Sequence, residues 1–345
     1  MRVLVLCGGA TSERIVSLAS GDAVAGWVAG LGHDVLKYDP EHVGKVYPST
    51  HKMAPEAIGL DAPAFESSGD FHPHVVRGLL DTIEREKIDL VFPILHGGYG
   101  EDGTLQSLLE WVGISYTGSG PLASAVAMHK ATAKSLMLQA GIPLAQGFEI
   151  PVSELRSPEI VESLIESSLG FPVVVKPMNG GSTIGLSIVR SSSELPAALN
   201  QIISQNDGAL VEQYFKGREI AATVVNGVAL PLVEIRPKDG FYDYSNKYTS
   251  GRTEYVCPAE LPLDIAEAIR ECAEDVFVAV GARGFARVDF LVSEEMFICL
   301  ELNSLPGMTT TSLVPKAARA YGWSPEQLIE KIIETAWSPV KSVIA

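Results

Sequence analysis

The first forty residues contain a strand–helix–strand pattern, and this pattern restricts the fold more than any other feature of the sequence. The run "RVLVLCGG" predicts a buried strand that ends in a glycine turn. It is followed by "SERIVSLASGDAVAGWVAGLG", which has the apolar periodicity of a helix that ends at Gly30 to Gly32, and by "HDVLKYDP", which predicts a second strand. Elements in this order form a parallel α/β unit, so the sequence predicts an α/β fold that begins with a parallel sheet.

The length of the chain indicates more than one domain. At roughly 100–200 residues per domain, the 345 residues correspond to two or three domains. We predict an N-terminal Rossmann-like α/β domain at residues 1–120, a central domain at 121–213 and a C-terminal domain at 214–345. Residues 41–74 are interrupted by Pro, Gly and His, and we interpret them as a surface excursion of the first domain.

The charge and the cysteine content restrict the possible partners and the compartment. The formal net charge is −16, from 26 Lys and Arg against 42 Asp and Glu, and so acidic a surface repels nucleic acid and anionic lipid. The first apolar run is too short for a signal-peptide core, and no stretch reaches the length of a membrane-spanning helix. The four cysteines form no CxxC pair, which favours a reducing, cytoplasmic compartment.

The stretch "ARVDFLVSEEMFICLELN" predicts a β-hairpin with its loop at residues 294–296. Apolar residues alternate along both strands, and this alternation sets the register, because a slip of one residue would move every side chain to the other face. The expected apolar pairs are Val292 with Ile298, Phe290 with Leu300 and Val288 with Leu302.

The other face of this hairpin carries the polar residues. The same register places Asp289 opposite Glu301, and Arg287 opposite Asn303. Like charges directly opposite each other destabilise a sheet unless something neutralises them. Mg²⁺ would do so, because it binds carboxylate oxygens together with substrate phosphates. A cluster of ion pairs centred on Arg287, with no metal, is the alternative.

A glycine-rich turn, "MNGGSTIG", follows the strand "PVVVKP" that contains Lys176. Glycines let backbone amides approach an anion closely, and a nearby lysine supplies positive charge, so the turn is a candidate phosphate cradle. A plain hairpin turn is the alternative. Glu212, which ends the strand "ALVE", could accept a hydrogen bond from an adenine or could simply end a strand.

Six motifs of the chain resemble the D-alanine–D-alanine ligases of the ATP-grasp superfamily and occur in the same order. The resemblance extends from the first strand to about residue 340. The motifs are "CGGATSERIVSLASG", "LHGGYGEDGTLQ", "VVKPMNGGSTIG", "FYDYSNKY", "ARVDF" and "ELNSLPGMTTTSLVP".

This resemblance implies three domains, of which two α+β domains enclose ATP, and a two-step reaction. ATP phosphorylates the carboxylate of one D-alanine, the amine of a second D-alanine attacks the acyl phosphate, and phosphate leaves. It also implies a homodimer formed through the first domain and a role in peptidoglycan precursor synthesis.

The resemblance further implies roles for individual residues around ATP. The phosphates would be bound by Lys130, Lys176 and Lys247. The adenine would be contacted by Glu212 and the backbone near Phe215, and the ribose by Glu219. Two Mg²⁺ or Mn²⁺ ions would be held by Asp289, Glu301 and Asn303.

The remaining implied roles concern the two amino acids. The ammonium group of the first D-alanine would be held by Glu13, with Ser182 and Tyr248 as its hydrogen-bond partners. The tetrahedral oxyanion would be stabilised by Arg287 and the amide of Gly307. The second D-alanine would lie beside His96, Ser312 and Leu313, and its carboxylate could bind at a helix N-terminus.

Several alternatives have different functions. A ligase with D-lactate or D-serine as acceptor would use the same chemistry, but D-lactate-type relatives usually carry a His where this chain has Tyr248. A catalytically silent nucleotide-binding paralogue is disfavoured by the acidic residues of the hairpin. A dehydrogenase that uses NAD is disfavoured because "CGGATSE" lacks the G-x-G-x-x-G spacing.

The substitution Glu301→Ala separates an enzyme from a nucleotide-binding protein. In an enzyme it should abolish ATP turnover, because the variant loses a carboxylate that neutralises charge at the transferred phosphoryl group. Phosphate release is the measurement. An identical trace of ATP hydrolysis in the wild type and the variant would indicate a protein that binds nucleotide without catalysis.

Overall fold

A computed structural model describes residues 1–55, 72–180, 185–238 and 252–339 of the chain. Within these residues three β-sheets follow one another along the sequence, and helices pack on each of them. The predicted α/β class is therefore confirmed. No helix in this described part of the chain is both long and apolar enough to cross a membrane.

The first sheet contains the strand–helix–strand unit predicted from the N-terminus. Its strands are β1 Arg2–Leu6, β2 Asp34–Tyr38, β3 Val46–Pro48, β4 Leu90–Pro93 and β5 Ser115–Tyr116. Its helices are α1 Arg14–Gly30, α2 Pro73–Glu86 and α3 Thr104–Trp111. The strand order is β3-β2-β1-β4-β5, and every pair is parallel except β2 with β3.

The second and third sheets are antiparallel. The second has the order β6-β9-β7-β8, with β6 Gly147–Ile150, β7 Val173–Pro177, β8 Ser187–Val189 and β9 Ala209–Gln213. The third has the order β13-β12-β10-β14-β15, with β10 Arg218–Val225, β12 Val233–Pro237, β13 Thr253–Val256, β14 Phe285–Val292 and β15 Phe297–Asn303. A short strand, β11 Val228–Ala229, pairs with β10.

The remaining helices pack around these two sheets. They are α4 Pro121–Met128, α5 Lys130–Gln139, α6 Pro158–Ser168, α7 Leu195–Ile203, α8 Leu263–Val280, α9 Leu313–Tyr321 and α10 Pro325–Glu334. Strand β6 and helix α6 were not predicted from the sequence. The sequence after the hairpin predicts one terminal helix, and the structure has two there, α9 and α10.

Residues 41–55, the described start of the predicted excursion, are attached to the first sheet. The buried Lys37 forms an ion pair with Asp22 and donates a hydrogen bond to the carbonyl of His51. Asp22 in turn accepts a hydrogen bond from the amide of Met53 (3.0 Å). Within this predicted surface excursion the structure has a short strand, β3, that was not predicted, because three residues are too few to give a periodic signal.

The stretch "LASAVAMHKATAKSLMLQAG" after Pro121 predicts one continuous helix, but the structure breaks this helix at His129. The backbone of this residue has φ −96° and ψ 95°, and its imidazole accepts a hydrogen bond from the amide of Thr132 (3.3 Å). His129 therefore ends α4 and caps the N-terminus of α5. Lys130 follows directly, and its amide donates to the carbonyl of Met178 (3.0 Å), which ties α5 to the turn after β7.

The predicted hairpin register is confirmed from Arg287 to Asp289, including the apolar pair Val288 with Leu302. It is wrong beyond Asp289, where Val292 pairs with Phe297 rather than with Ile298. Asp289 pairs with Glu301, but a bulge follows, after which Phe290 pairs with Cys299 rather than with Leu300. Leu300 is the extra residue, and it lines a cavity, whereas Cys299 is fully buried in the core. A bulge of this kind redirects one side chain at the cost of one ladder pair.

The first and third sheets share part of their hydrophobic core. Val3 and Val5 of β1 belong to one buried cluster together with Ala221 of β10, Leu313 of α9 and Leu328 of α10. Helices α4 and α5 contribute to a second cluster on the other face of the third sheet. The domain boundaries after residues 120 and 213 stay predictions.

Two glycines of helix α1 provide a matched test of its packing. A Cβ at Gly21 would lie 2.5 Å from Sγ of Cys7, whereas a Cβ at Gly26 would have no atom within 4 Å. Gly21→Ala should therefore lower the free energy of unfolding by about 1–3 kcal/mol through overpacking. Gly26→Ala should raise it by about 0.5–1 kcal/mol, because alanine favours the helix. Urea unfolding is the measurement, and equal shifts in both variants would contradict the described packing.

Candidate active site

A cavity of ≈ 600 Å³ lies between the second and third sheets. Its volume is in the range of pockets that hold a small-molecule ligand or cofactor. Apolar side chains and charged groups from both sheets surround it. The residues that line it are Lys130, Ala145, Val174, Lys176, Pro177, Gly180, Leu186, Ile188, 212–219, 234–237, Asp289, Leu291, Ile298, Leu300 and Glu301.

Glu212 lies on one wall of this cavity and pairs with two lysines. Its Oε2 is 2.5 Å from Nζ of Lys176 on the neighbouring strand β7, and its Oε1 is 2.6 Å from Nζ of Lys134 on helix α5. Burial alone would raise the pKa of Glu212, but Lys176 and Lys134 outweigh burial and hold the pKa below its ordinary value. Glu212 is therefore an ionised carboxylate inside the protein.

The connection from β9 to β10 continues the same wall. Phe215 and Glu219 both line the cavity. Between them, a Cβ at Gly217 would lie 2.9 Å from the backbone nitrogen and oxygen of Val292. Only glycine allows the connection to pass so close to β14, and this close approach helps to keep Phe215 and Glu219 at the cavity.

Lys130 reaches the cavity from the first turn of α5. Its Nζ donates a hydrogen bond to the carbonyl of Gly180, in the glycine-rich turn after β7. Burial lowers the pKa of Lys130 below its ordinary value, although the charge of Glu301 acts in the opposite direction. Two lysines, Lys130 and Lys176, therefore stand at the cavity beside Gly180 of the glycine-rich turn, and their binding of phosphate stays a prediction.

The paired carboxylates of the hairpin, Asp289 and Glu301, also line the cavity. Arg287 donates two hydrogen bonds to Asp289, from Nε to Oδ1 (2.7 Å) and from Nη2 to Oδ2 (2.8 Å). Asn303 donates from Nδ2 to Oδ2 of Asp289 (3.0 Å). The guanidinium thus supplies countercharge to Asp289, as in the alternative considered from the sequence. Glu301 faces Asp289 across the hairpin and also lines the cavity.

His96 lies between the first sheet and the loop after β15. Its Nδ1 is 3.1 Å from the carbonyl oxygen of Leu305 and 3.6 Å from Oε1 of Glu101. Burial alone would lower the pKa of His96, but the carboxylates of Glu101 and Glu13 outweigh burial and raise it above its ordinary value. His96 and Glu13, predicted to contact different amino acids, are therefore electrostatically coupled.

The loop after β15 is fixed by hydroxyl groups. Ser20 of helix α1 accepts a hydrogen bond from the amide of Met308 (3.2 Å) and lies 3.4 Å from Nε2 of His96. Ser312 precedes helix α9, and its hydroxyl accepts from the amide of Thr309 (3.0 Å). A Cβ at Gly307 would be 3.1 Å from this hydroxyl. The predicted residues Gly307, Ser312 and Leu313 therefore belong to one short loop and the helix start that follows it.

The structure brings most of the predicted residues into two neighbouring regions, the cavity and the loop beside His96. Ser182, Lys247 and Tyr248 lie outside the described residues. Glu13 is the residue before α1, and its side chain makes no capping hydrogen bond to that helix. Sequence reasoning missed Lys134, Glu101 and Ser20. Glu101 and Ser20 stand in the quoted motifs "LHGGYGEDGTLQ" and "CGGATSERIVSLASG", whereas Lys134 carried no distinguishing signal.

Solved structures with the same fold define the class of protein. The chain is similar to a D-alanine–D-alanine ligase from Bacillus anthracis complexed with ATP, with a TM-score of 0.75 and 29% identity over 97% of each chain. It is also similar to a D-Ala:D-Ser ligase from Enterococcus faecalis, with a TM-score of 0.76 and 27% identity over 96% of this chain and 98% of that one. The fold and the charged cavity are those of an ATP-grasp enzyme.

Sequence comparisons define the family. The models of the D-Ala–D-Ala ligase N-terminus and C-terminus match residues 2–119 and 136–334. A D-alanine–D-alanine ligase of Syntrophotalea carbinolica is 39% identical over 97% of this chain and 96% of the relative. One of Geobacter sulfurreducens is 40% identical over 99% of this chain and 95% of the relative. The chain belongs to the D-alanine–D-alanine ligase family.

The substitution Glu101→Gln tests the electrostatic origin of the His96 pKa. In the variant the pKa of His96 should fall, because burial still disfavours the imidazolium while the neighbouring charge is lost. Histidine NMR titration, with the His96 signal assigned from a His96→Asn variant, is the measurement. An unchanged pKa of His96 would contradict the described pairing.

Proposed function

We propose that the protein uses ATP to join two molecules of D-alanine into D-alanyl-D-alanine, with ADP and phosphate as the other products. The observation that carries this proposal is that Lys130, Lys176, Asp289 and Glu301 line one cavity, in a chain of the D-alanine–D-alanine ligase family. Lysines and carboxylates around one cavity suit a triphosphate that is bound together with divalent metal.

The cavity would hold the nucleotide with its base beside Glu212. This ionised carboxylate can accept a hydrogen bond from the amino group of adenine, and the backbone near Phe215 would contact the same base. Glu219, the second residue of β10, would accept a hydrogen bond from the ribose. Lys130 and Lys176 would bind the phosphates, and Lys247 is proposed to join them.

The donor set of the hairpin suits Mg²⁺ or Mn²⁺. Asp289 and Glu301 offer carboxylate oxygens and Asn303 an amide oxygen, which are the ligands that hard divalent cations prefer. Asp289 already binds a cationic group, the guanidinium of Arg287, so this position accepts positive charge. When bound, the metal would neutralise negative charge on the phosphates. Two ions are proposed, with Glu301 between them.

Arg287 has a second proposed task in the peptide-forming step. The amine of the second D-alanine attacks the carbonyl carbon of the acyl phosphate, and negative charge develops on the carbonyl oxygen. The two hydrogen bonds that Arg287 donates to Asp289 restrict the orientation of its guanidinium. A preorganised cation and the amide of Gly307 would stabilise that charge without reorganisation during the reaction.

The loop beside His96 is the proposed acceptor site. The carboxylate of the second D-alanine would bind at Ser312 and Leu313, where helix α9 begins and exposes backbone amides. His96 is buried beside the same loop. Glu13 would hold the ammonium group of the first D-alanine, with Ser182 and Tyr248 as its proposed partners.

The biological setting is proposed from the family. We place the protein in the cytoplasm, in peptidoglycan precursor synthesis, and as a homodimer formed through the first domain. Trp111, at the end of α3, and Leu122, in the adjacent α4, are largely exposed apolar side chains. A subunit contact in this region would remove both from water.

D-Serine is the acceptor that most needs to be tested against D-alanine, because a D-Ala:D-Ser ligase shares this fold. The relatives named D-alanine–D-alanine ligase are more similar in sequence, at 39–40% identity. This difference in similarity favours D-alanine, as does Tyr248 against D-lactate.

ATP-dependent phosphate release against a panel of acceptors tests the proposal. Release should require D-alanine alone, and the addition of D-lactate or D-serine should not increase it. The dipeptide should be detected by mass spectrometry in an amount equal to the phosphate. Faster release with D-alanine plus a second acceptor would assign the protein to the corresponding ligase, and no release with any acceptor would refute ligase activity.

A further inference from the structure

Glu212 has two lysine partners that approach it from different sides. Lys176 lines the cavity, whereas Lys134 is absent from the residues that line it. Lys134 reaches Glu212 from helix α5, four residues after Lys130, and its Nζ also donates to the carbonyl of Cys299 (3.5 Å). Lys176 can therefore contact a ligand in the cavity, whereas Lys134 lies behind the cavity wall that Glu212 forms.

Lys176 has two competing partners once a nucleotide is bound. It pairs with Glu212 in this structure, at 2.5 Å, and in the proposed function it binds a phosphate. Glu212 is almost entirely buried, and a buried carboxylate that loses its counter-ion is strongly destabilised. A transfer of Lys176 from Glu212 to the phosphate is therefore favourable only if a second cation remains on Glu212.

We propose that Lys134 is a positioning residue, the permanent counter-ion that keeps Glu212 ionised and in place while Lys176 moves to the nucleotide phosphates. The proposal rests on the proposed function in so far as the cavity binds a nucleoside triphosphate. Lys134 does not touch the ligand. It acts through Glu212, and it leaves Oε2 of Glu212 available to a base when Lys176 departs.

The ionised state of Glu212 has a consequence for the choice between adenine and guanine. An ionised carboxylate only accepts hydrogen bonds, so Glu212 suits the amino group of adenine and opposes the carbonyl oxygen that guanine has at the same position. A neutral, protonated Glu212 would lose this distinction. By holding the carboxylate ionised, Lys134 contributes to the selection of ATP over GTP.

A double-mutant cycle between Lys134 and Glu212 tests the proposal, with inorganic tripolyphosphate as the probe. Tripolyphosphate needs the phosphate-binding lysines but has no base. Its affinity is measured by isothermal titration calorimetry with magnesium for the wild type, Lys134→Met, Glu212→Gln and the double variant. Lys37→Met is the matched control, because Lys37 is also a buried lysine with an acidic partner but lies in the first sheet.

In Lys134→Met the affinity should fall at least about tenfold, equivalent to about 1.4 kcal/mol, because Lys176 is then retained by Glu212. Glu212→Gln and the double variant should bind tripolyphosphate equally, since without the carboxylate there is no charge for Lys134 to compensate. Lys37→Met should bind as the wild type does. Glu212→Gln should also lose the preference for ATP over GTP.

Two results would overturn the proposal. One is wild-type affinity for tripolyphosphate in Lys134→Met. The other is weaker binding in the double variant than in Glu212→Gln, which would mean that Lys134 contacts phosphate or shapes the site by itself. If Lys134→Met does not fold, the comparison of the double variant with Glu212→Gln still decides the question.

The binding cycle is independent of ligase activity. Phosphate release with D-alanine is measured on the same wild-type sample. Its absence would refute the proposed reaction and leave the comparison of tripolyphosphate affinities valid. A wild type that binds neither ATP nor tripolyphosphate would refute nucleotide binding at this cavity, and with it the role of Lys134.

Discussion

The candidate site depends on the hydrogen-bonded ladder around strand β14. This strand pairs with β10 on one side and β15 on the other, and the ladder sets Asp289 beside Ala221 and opposite Glu301. The backbone determines the spacing of the two carboxylates, and neither can move away from the other without breaking the sheet. Positive charge must therefore come to them, and in this structure part of it comes from Arg287.

The same constraint explains how an acidic protein can receive a polyanion. The net charge of −16 would repel a triphosphate from most of the surface. Three lysines, Lys130, Lys134 and Lys176, are gathered within or behind one cavity wall, where Glu212 forms ion pairs with the last two. Burial strengthens their effect, because charges in a low-dielectric interior are screened less than charges in water. The location of the charges matters more here than their sum.

Two kinds of feature could be predicted from the sequence. The first is a helix or strand with a strong apolar periodicity, and the second is a charged residue that interrupts such a pattern. Asp289 and Glu301 were found because carboxylates interrupt an apolar hairpin, and their register was correct. The shift beyond them was not foreseeable, because Cys299 and Leu300 are both apolar and either one can fill a core. Lys134 was missed for a similar reason. It lies four residues after Lys130 on a helix, a spacing that equally describes two solvated lysines. The individual roles at the acceptor loop came from family resemblance and stay predictions.

Local backbone conformation was a further limit of sequence reasoning. The break at His129 depends on its imidazole accepting a hydrogen bond from Thr132, a tertiary choice within a stretch whose apolar pattern is continuous. Strand β3 is short and depends on its pairing with β2. At His129 and at β3, one or two hydrogen-bonding groups determine the local backbone conformation. The apolar pattern of the surrounding segment does not indicate such an interaction.

The core shared by β1 and the two last helices has a consequence for biosynthesis. Val3 and Val5 leave the ribosome first, yet Leu328 and Ile332, which belong to the same buried cluster, are made more than three hundred residues later. Until then one side of the nascent first sheet lacks part of its apolar cover. Contacts so distant in sequence slow folding and prolong exposure of hydrophobic surface. The emerging chain should accordingly be a client for chaperones during translation, and a ribosome stalled before α10 should carry a first domain that is only partly consolidated.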